Sequence, residues 1–459
     1  MMVRYLKNFT NKITYTYCQR SEGHGISNQI VPENTDLLII VDSSTNETNK
    51  CKELQEQGID IIILDHHPKT QDNPYALIVN PQLDDYPNKE LSGGGVVYKT
   101  LEILDDLFDT SYHKEFIDLA GIAIYTDVMS MTEPENRYFV YYALKNIKNP
   151  GIKAILKASN VFISDISSEV IGWKIGPIIN ATARMEKIEL IIELLLEDDF
   201  NKCLQIAKEC VKLNEDRKKK EVKLFKKVKD RINYKNNIIV VKVDEKDGID
   251  KGFNGLLAMK IADHYKKPTM VVKCKDGMCA GSARSINNIN FKSILNKTGL
   301  FELLEGHAGA FGVEIKEDKI DDLIEMTNNH IKISSNRNTV KVGYDLEIDL
   351  EEVNYDLIKD IQQFNYLSGK NAEDTKVLIK NIPVYERKVM GKLEDSIKLV
   401  SDKFNMVKFK VNEFYAEELC DDKKIDIIGS LKINKWYNFG TKKVVEDLQV
   451  LLDDYKICN

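Results

Sequence analysis

The stretch IIILDHHPKT, from Ile61 to Thr70, joins an apolar run to a cluster of polar side chains. Four apolar residues lead directly into Asp65, His66 and His67, and a proline follows. Apolar strands that alternate with helical segments are typical of a parallel sheet covered on both faces. Because ligands bind such a sheet beyond the carboxyl ends of its strands, the acid and the two imidazoles are predicted to lie at its ligand-binding edge.

Three further apolar runs in the first third of the chain have the character of strands in the same sheet. They are ITYTYCQR (Ile13–Arg20), DLLIIVD (Asp36–Asp42) and ALIVN (Ala76–Asn80). The polar segment NETNKCKELQEQG between two of these runs is predicted to be a helix, and helical patterns dominate after the last run. The fold class is therefore α/β, with a parallel-sheet domain assigned to residues 1–196.

The remainder of the chain divides into three predicted parts. Residues 201–232 contain no Pro or Gly, and ten Lys or Arg against four acids lie between Lys212 and Arg231. We expect one long connecting helix over residues 197–233, either as a solvated link or as a basic wall beside a nucleic-acid channel. A second, smaller α/β domain is predicted over residues 234–336. Short β-rich segments in residues 340–459 predict a small barrel or sandwich.

Composition places the chain among ordinary globular proteins. Its 459 residues are 43% hydrophobic and 30% charged, with a formal net charge of −7. No apolar run reaches the roughly 18–20 residues that cross a bilayer, and the first residues lack the apolar core of a signal peptide. Because the eight cysteines form no C-x-x-C pair, they are predicted to be free thiols in a reducing cytoplasm. The net charge leaves room for a nucleic-acid partner, since binding needs only a local basic patch.

Acidic residues follow two of the predicted strands and one predicted helix. Asp42 ends one strand, the triplet of Asp65, His66 and His67 ends another, and Asp127 stands where the apolar helix GIAIYTDVMS breaks. Carboxylates and imidazole without thiolates favour manganese or magnesium over structural zinc. The alternative for a single Asp is a helix cap or turn residue, whereas the triplet is harder to explain by packing because buried imidazoles need polar partners.

The motif LDHH resembles the signature of the DHH phosphoesterase superfamily. Six further motifs follow the order of RecJ-type single-strand-specific exonucleases: RSEGHGIS, LSGGGVVYK, DLAGIAIYTDVMSMTEPENR, GPIINATARME, GSARSINNINF and GHAGAFG. The stretches IIGSLKINKWYN and VVEDLQV are similar to the OB-fold domain of that family. The resemblance implies a DHH domain, a DHHA1-like domain and an OB-like domain for residues 1–196, 234–336 and 340–459. It also implies a 5′→3′ exonuclease that releases mononucleotides from single-stranded DNA.

The resemblance assigns roles around two manganese ions. Asp42 matches the acid that bridges the ions, and His66 and Asp127 match ligands of one of them. Asp65 is expected to orient His66, which fixes the tautomer of a ligand. His67 matches the residue beside the scissile phosphate, where it would stabilise charge or donate a proton. We expect the protein to be a cytoplasmic monomer that works with a single-strand-binding protein or a helicase.

The resemblance also assigns residues that hold the substrate. Six residues match substrate- or phosphate-binding positions of the family: Arg20, Asn180, Arg184, Ser282, Arg284 and His307. Arg20 matches a contact to the 5′ phosphate, and Ser282 with Arg284 matches a phosphate clamp, for which a guanidinium offers two parallel hydrogen bonds. Each of these motifs also has a purely structural interpretation when it is considered alone. For the glycine-rich segment at His307 that interpretation is a tight turn, and for Asn180 and Arg184 it is a helix cap and a surface ion pair.

Three aromatic residues of the OB-like domain, Trp436, Tyr437 and Phe439, could stack on bases or pack in its core.

One family motif is absent from the sequence. RecJ-type enzymes carry D-x-D-x-D-G after their first strand, and no such motif occurs here. The expected consequence is a second metal site that keeps only Asp42. A wrongly assigned start codon, a split gene or a nuclease-dead DNA-binding relative would each account for this. Two alternatives to an exonuclease thus stay open: a DNA-binding scaffold or part of a split enzyme, and a DHH phosphodiesterase acting on short oligonucleotides or cyclic dinucleotides.

Overall fold

The computed structural model describes residues 1–18, 25–83, 85–249, 251–286, 289–330, 342–391, 394–411, 413–419, 423–438, 440 and 443–458. The chain divides into two compact units. Unit 1 comprises Met1–Arg217 and Tyr366–Glu373, and unit 2 comprises Lys218–Asn365 and Asp374–Asn459. The segment Tyr366–Glu373 thus packs with the first half of the chain although it lies far along the sequence.

A three-stranded parallel sheet forms the centre of unit 1. Its strands, in spatial order, are β1 (Leu37–Val41), β2 (Asp60–Leu64) and β3 (Leu77–Val79). The last residues of the three strands are register partners, so the residues that follow them stand side by side at one edge. Three of the four predicted strands and the predicted parallel sheet are therefore confirmed.

The predicted strand at Ile13–Arg20 is wrong for the part that the structure describes. Residues 13–18 belong to no strand and are mostly exposed, and residues 19 and 20 lie outside the described residues. The alternation of Ile13, Tyr15 and Tyr17 with polar residues imitates a half-buried strand. A strand exists only through its ladder to a neighbour, and periodicity within one segment does not reveal whether that neighbour is present.

Helices cover both faces of this sheet. In chain order they are α1 (Met2–Leu6), α2 (Thr48–Glu56), α3 (Gly93–Phe108), α4 (Ile117–Thr126), α5 (Pro134–Lys145), α6 (Pro150–Ala158), α7 (Ser168–Val170), α8 (Gly176–Arg184), α9 (Ile188–Leu196) and α10 (Phe200–Val228). On one face, Cys51 and Leu54 of α2 pack with Ile63 of β2. On the other face, Leu64 joins the larger core of α3 and the helices that follow it. The apolar strand composition therefore reflects burial on both sides.

The long connecting helix is confirmed as α10. It runs for 29 residues and is followed by a short 3₁₀ turn at Lys229–Arg231. The boundary between the two units falls inside it, between Arg217 and Lys218.

No helix among the described residues combines the length and the apolarity that crossing a bilayer requires.

After the end of α10, unit 2 contains a five-stranded mixed sheet in the order β4-β5-β6-β8-β7. Its elements are β4 (Ile239–Val243), α11 (Lys251–Tyr265), β5 (Thr269–Lys275), β6 (Met278–Arg284), α12 (Phe291–Asn296), β7 (Phe301–His307), β8 (Ala310–Lys316) and α13 (Ile320–His330). Strands β4 and β5 are parallel, and the other neighbours are antiparallel. The predicted second α/β unit is confirmed as a fold.

The prediction that all cysteines are free thiols is wrong for one pair. Cys274 and Cys279 form a disulfide, with their Cα atoms 4.0 Å apart. They face each other in the register of the β5–β6 hairpin, which brings their side chains within bonding distance. The spacing was uninformative because only the hairpin register decides whether two cysteines five residues apart face each other.

The last part of unit 2 is a seven-stranded sheet in the order β11-β12-β13-β15-β14-β10-β9. Its elements are β9 (Leu346–Ile348), α14 (Tyr355–Phe364), β10 (Val377–Val384), β11 (Glu386–Met390), β12 (Ser396–Val400), β13 (Asn405–Phe409), β14 (Lys423–Asn438) and β15 (Lys443–Ile457). In the described residues β9 and β11 are end strands, so the predicted barrel is an open, strongly paired OB-like sheet. Trp436 and Tyr437 lie on β14 with side chains outside the description, and Phe439 lies outside the described residues.

Candidate metal centre and substrate-binding residues

Two of the predicted acids directly follow neighbouring strands. The backbone N–H of Asp42 donates to Leu64 O over 2.8 Å, and that of Asp65 donates to Val79 O over 3.1 Å. Each hydrogen bond continues the parallel ladder one residue past the strand. Asp42 has a φ of 62°, so the chain turns sharply at this carboxylate. The two acids therefore start from the same edge of the sheet.

The third acid reaches this edge from a helix. Asp127 is the residue after α4, and its N–H donates to Ala123 O over 2.9 Å. Val128 then adopts a φ of 56°. A β-branched residue in the left-handed region is a true outlier, and such strain concentrates at functional sites. Helix α4 therefore ends directly before Asp127, the acid that is predicted to bind the metal.

The three predicted ligand side chains converge. The Nε2 atom of His66 lies 3.3 Å from Asp42 Oδ1 and 3.3 Å from Asp127 Oδ2. The His66 side chain is 12% exposed, whereas those of Asp42 and Asp127 are 60% and 45% exposed. Two carboxylates and one imidazole match the donors that Mn²⁺ and Mg²⁺ accept from proteins, so these residues fit a divalent cation that solvent and substrate can reach.

The charge state of His66 supports the same fit. Burial lowers the pKa of its imidazole, but the hydrogen bond with Asp42 and the charge of Asp127 outweigh burial and hold the pKa above its ordinary value. The two carboxylates therefore stabilise positive charge at this position. A proton and a divalent cation compete for the same three side chains.

Asp65 lies beneath this cluster and is fully buried, with 0% exposure. One carboxylate oxygen accepts from Thr45 N–H at 3.2 Å and Thr45 Oγ1 at 2.6 Å. The other accepts from His66 N–H at 2.8 Å and contacts His67 Nδ1 at 2.8 Å. Burial raises the pKa of Asp65, but the hydrogen bonds from His67 and Thr45 outweigh it and hold the pKa well below its ordinary range. Because Asp65 is ionised, His67 Nδ1 carries the proton that it shares.

The expectation that Asp65 orients the ring of His66 is wrong. Its carboxylate binds the ring of His67 and only the backbone N–H of His66. The rings of His66 and His67 lie side by side, with their centroids 4.6 Å apart, but only the His67 ring has a hydrogen bond with Asp65. The hydrogen bond to Asp65 raises the pKa of His67, whose side chain is half exposed. His67 is thereby presented as a fixed, readily protonated imidazole.

Two buried polar residues that sequence reasoning missed complete this support. Thr45 and Asn80 are each 1% exposed. The Asn80 amide donates to Thr45 Oγ1 at 3.1 Å and to His67 O at 2.9 Å. Asn80 follows β3 at the edge where Asp42 and Asp65 follow their strands, so its position in ALIVN was the available signal. Thr45 had no comparable signal.

Gly93 was also missed, although its motif LSGGGVVYK was part of the resemblance. It is the first residue of α3, which Ser92 caps by accepting from Gly95 N–H over 3.2 Å. A Cβ atom at residue 93 would overlap Asp42 Oδ1 and lie 2.8 Å from Asp42 Cβ. Only glycine therefore lets the start of α3 approach this carboxylate so closely.

We expect Gly93→Ala to weaken Mn²⁺ binding about tenfold, because the new methyl group displaces Asp42 while the three ligand side chains remain. Loss of ligand orientation typically costs about 10–100-fold in affinity. Isothermal titration with Mn²⁺ measures the effect, and thermal unfolding serves as the control for folding. An unchanged dissociation constant in a folded variant would contradict the contact between α3 and Asp42.

Two predicted substrate residues share one face of α8. Asn180 is exposed and Arg184, one turn later, is half-buried. Gly176 begins this helix, and a Cβ atom there would lie 2.9 Å from Thr126 Cγ2. Helix α8 therefore packs against the end of α4, next to Asp127. The structure brings Asn180 into the neighbourhood of the ligands, and its role remains a prediction.

The predicted phosphate clamp lies in unit 2. Ser282 and Arg284 are alternate residues of β6 and share one face. A Cβ atom on Gly255 of α11 would overlap Arg284 Nη2 and lie 3.6 Å from Ser282 Oγ. The two side chains therefore lie together over α11. The backbone of His307 pairs with Ala310, as does that of Arg284, although the His307 side chain is outside the description.

Arg20, the predicted contact to the 5′ phosphate, lies outside the described residues. The roles of all the substrate residues remain predictions.

Three family models match the chain in sequence order. They are the DHH family N-terminal domain over residues 1–124, the DHHA1 domain over residues 235–333 and the RecJ OB domain over residues 344–445. Their order is the one that the motifs indicated. The match to an OB domain also agrees with the open sheet of β9–β15.

Two curated relatives from Bacillus subtilis (strain 168) match over most of the chain. The protein named "Putative SPbeta prophage-derived single-strand DNA-specific exonuclease YorK" is 27% identical, and the match covers 98% of this chain and 84% of that protein. The single-stranded-DNA-specific exonuclease RecJ is also 27% identical, with 95% of this chain and 57% of that protein covered. The chain thus spans most of the first relative and little more than half of the second.

A solved structure shows the same fold. RecJ in complex with Mn²⁺ from Thermus thermophilus matches with a TM-score of 0.70 and 21% identity, over 92% of this chain and 62% of that one. The chain spans less than two thirds of both this protein and the Bacillus RecJ. The resemblance inferred from ordered motifs is confirmed by all three comparisons. In its DHH, DHHA1 and RecJ OB domains and in their order, this chain is similar to the RecJ-type DHH phosphoesterases.

Proposed function

We propose that this chain is a divalent-metal-dependent exonuclease that hydrolyses single-stranded DNA from its 5′ end to mononucleotides. The observation that carries the proposal is the convergence of Asp42 and Asp127 on His66 Nε2, each at 3.3 Å, next to a half-exposed His67. The curated relatives named as single-strand DNA-specific exonucleases support the substrate class.

Some residues of the site would bind a cation, and others would position a proton. Asp42, His66 and Asp127 would hold Mn²⁺ or Mg²⁺. When bound, the cation polarises a phosphoryl oxygen and lowers the pKa of a coordinated water. Asp65 fixes the tautomer of His67 through Nδ1. That leaves Nε2 as the atom through which His67 can donate a proton or a hydrogen bond to the phosphodiester.

Substrate retention is proposed for positively charged and polar residues outside this cluster. Ser282 and Arg284 lie together on β6 and suit a phosphate, because a guanidinium pairs with two phosphate oxygens at once. The basic part of α10 would neutralise further phosphates, so binding should weaken as salt rises. Arg20, Arg184 and His307 are carried by the family resemblance alone.

A direct assay tests the proposal. The purified chain is incubated with 5′-phosphorylated single-stranded DNA and Mn²⁺, beside the variant Asp127→Asn as control for contaminating nucleases. We expect mononucleotides to appear from the 5′ end with the parent chain and to be nearly absent with the variant. Equal release by both proteins, or no release by the parent chain, would contradict the proposal.

A second candidate is a DNA-binding protein without nuclease activity. It is favoured by the arrangement of the described ligands, which gather around a single position. Binding of the same DNA without nucleotide release would select it. Preferential cleavage of dinucleotides would instead select a phosphodiesterase for short substrates, which the match to an OB domain disfavours.

Several finer points belong to the same proposal. They are the domain boundaries at residues 196, 233 and 336, a monomeric state, a cytoplasmic location, and a single-strand-binding protein or a helicase as partner. Their support is the sequence pattern and the family resemblance. Analytical ultracentrifugation would test the monomeric state, and pull-down with a purified single-strand-binding protein would test the partner.

A further inference from the structure

A pocket of about 310 Å³ opens in unit 1. Thr126 and Val128, the two neighbours of Asp127 in the chain, line it. Its volume lies at the lower end of the roughly 300–1,000 Å³ of small-molecule sites. A group held there would therefore lie next to a proposed metal ligand.

The walls of this pocket are largely apolar and aromatic. Tyr125, Met131, Trp173 and Pro177 contribute to them. Trp173 is 72% exposed, which is unusual for the largest apolar side chain. It lies in a π-helical turn at Ile171–Ile175, and such turns are rare and frequent at functional sites. An exposed indole in a concave site offers a flat surface on which a planar ring can stack.

A segment that is distant in sequence supplies part of the wall. Segment Tyr366–Glu373 contributes Lys370 and its neighbour Gly369 to the pocket. Two hydrogen bonds fix this segment: Tyr125 Oη donates to Ser368 O over 3.0 Å, and Met131 N–H donates to Lys370 O over 2.8 Å. Both donors are themselves wall residues. Hydrogen bonds therefore hold Tyr366–Glu373 in place as part of the pocket wall.

Polar groups of the lining are few. The exposed Asn180 side chain and Lys370 lie at the pocket, and Lys370 Nζ pairs with Glu90 at 3.1 Å. A nucleobase has apolar faces and an edge of donors and acceptors. A carboxamide can both donate to and accept from such an edge. The lining thus matches a base better than it matches a phosphate, which would require cations without acidic partners.

We propose that this pocket holds the base of the nucleotide that is cleaved, stacked on Trp173 and bordered by Gly369 and Lys370. The inference rests on the proposed function, because it places the base next to the phosphate that Asp127 would help to bind. Every base can stack on an aromatic ring, so the pocket would bind the terminal nucleotide with little sequence preference.

A binding experiment tests the pocket without metal or hydrolysis. The chain contains two tryptophans, Trp173 and Trp436, so the variant Trp436→Phe reports the fluorescence of Trp173 alone. It is titrated with two 5′-phosphorylated oligonucleotides that differ only in an abasic site at the 5′-terminal nucleotide. We expect saturable quenching that is at least several-fold weaker with the abasic strand. Identical curves, or no quenching with either strand, would overturn the proposal.

Kinetics provide the second test. Stacking on an aromatic side chain contributes about 1–3 kcal/mol per base, so Trp173→Ala should lower kcat/KM about tenfold on the normal strand. The loss should be much smaller on the abasic strand. Phe162→Ala, which removes another exposed aromatic side chain of unit 1, should leave both values unchanged. An equal loss on both strands would assign Trp173 to packing and overturn the proposal. Failure of the parent chain to cleave either strand would refute the proposed function, and the fluorescence titration would still decide the pocket.

Discussion

Asp42→Asn is expected to lower the rate of nucleotide release about 10³-fold. The change removes one of two carboxylates that lie 3.3 Å from His66 Nε2, and an amide is a poor ligand for a hard cation. A bound metal contributes several kcal/mol to the transition state, and each roughly 1.36 kcal/mol corresponds to a factor of ten in rate. Single-turnover cleavage of 5′-phosphorylated single strands in saturating Mn²⁺ measures the loss.

Asp60→Asn is the matched control for this experiment. Asp60 is an exposed acid at the start of β2, at the opposite edge of the same sheet. The substitution changes the net charge equally and leaves the candidate metal centre intact, so the cleavage rate should stay within about twofold of the parent chain. Comparable losses in both variants would show that charge or folding, rather than ligation by Asp42, controls the rate.

Asp65→Asn is expected to lower the cleavage rate about 10²-fold while changing Mn²⁺ affinity much less. Asp65 receives hydrogen bonds from Thr45 and from His66 N–H and shares a proton with His67, but its carboxylate does not bind the ring of His66. An amide must turn its NH₂ group toward one set of these donors. The tautomer of His67 is then no longer fixed, and lost support of this kind costs about 10–100-fold.

Stability should fall as well, because Asp65 is completely buried. Hydrogen bonds to a charged group contribute about 1.5–3 kcal/mol each, so a loss of about 2 kcal/mol in the free energy of unfolding is expected. Urea denaturation measures it, and the rate must be compared at a temperature where the variant is fully folded. A rate loss that is matched by an equal loss of Mn²⁺ affinity would contradict the assignment of Asp65 to His67.

The core of the candidate site could be predicted from sequence because it follows the periodicity of the backbone. Asp42 and Asp65 each end an apolar run, and parallel strands bring such ends to one edge whatever the rest of the chain does. Asp127 was detectable because an apolar helix stops there. These positions depend on local pattern and on one general rule of sheet topology.

Other features depend on contacts between segments that the pattern does not contain. The pairing of Asp65 with His67 follows from the direction of the chain after β2, and the importance of Gly93 follows from how closely α3 approaches Asp42. The place of Tyr366–Glu373 in unit 1 follows from hydrogen bonds across more than two hundred residues of sequence. The supposed strand at Ile13–Arg20 failed for the same reason, since a strand is defined by its neighbour.

A Mn²⁺ titration followed by electron paramagnetic resonance measures directly whether Asp42, His66 and Asp127 hold a divalent cation. Free Mn²⁺ gives a strong signal that is lost on binding, so the titration requires neither DNA nor catalysis. The parent chain should bind Mn²⁺ saturably, and His66→Ala, folded as judged by circular dichroism, should lose that binding. Binding of equal affinity and stoichiometry in both proteins would contradict the proposed centre.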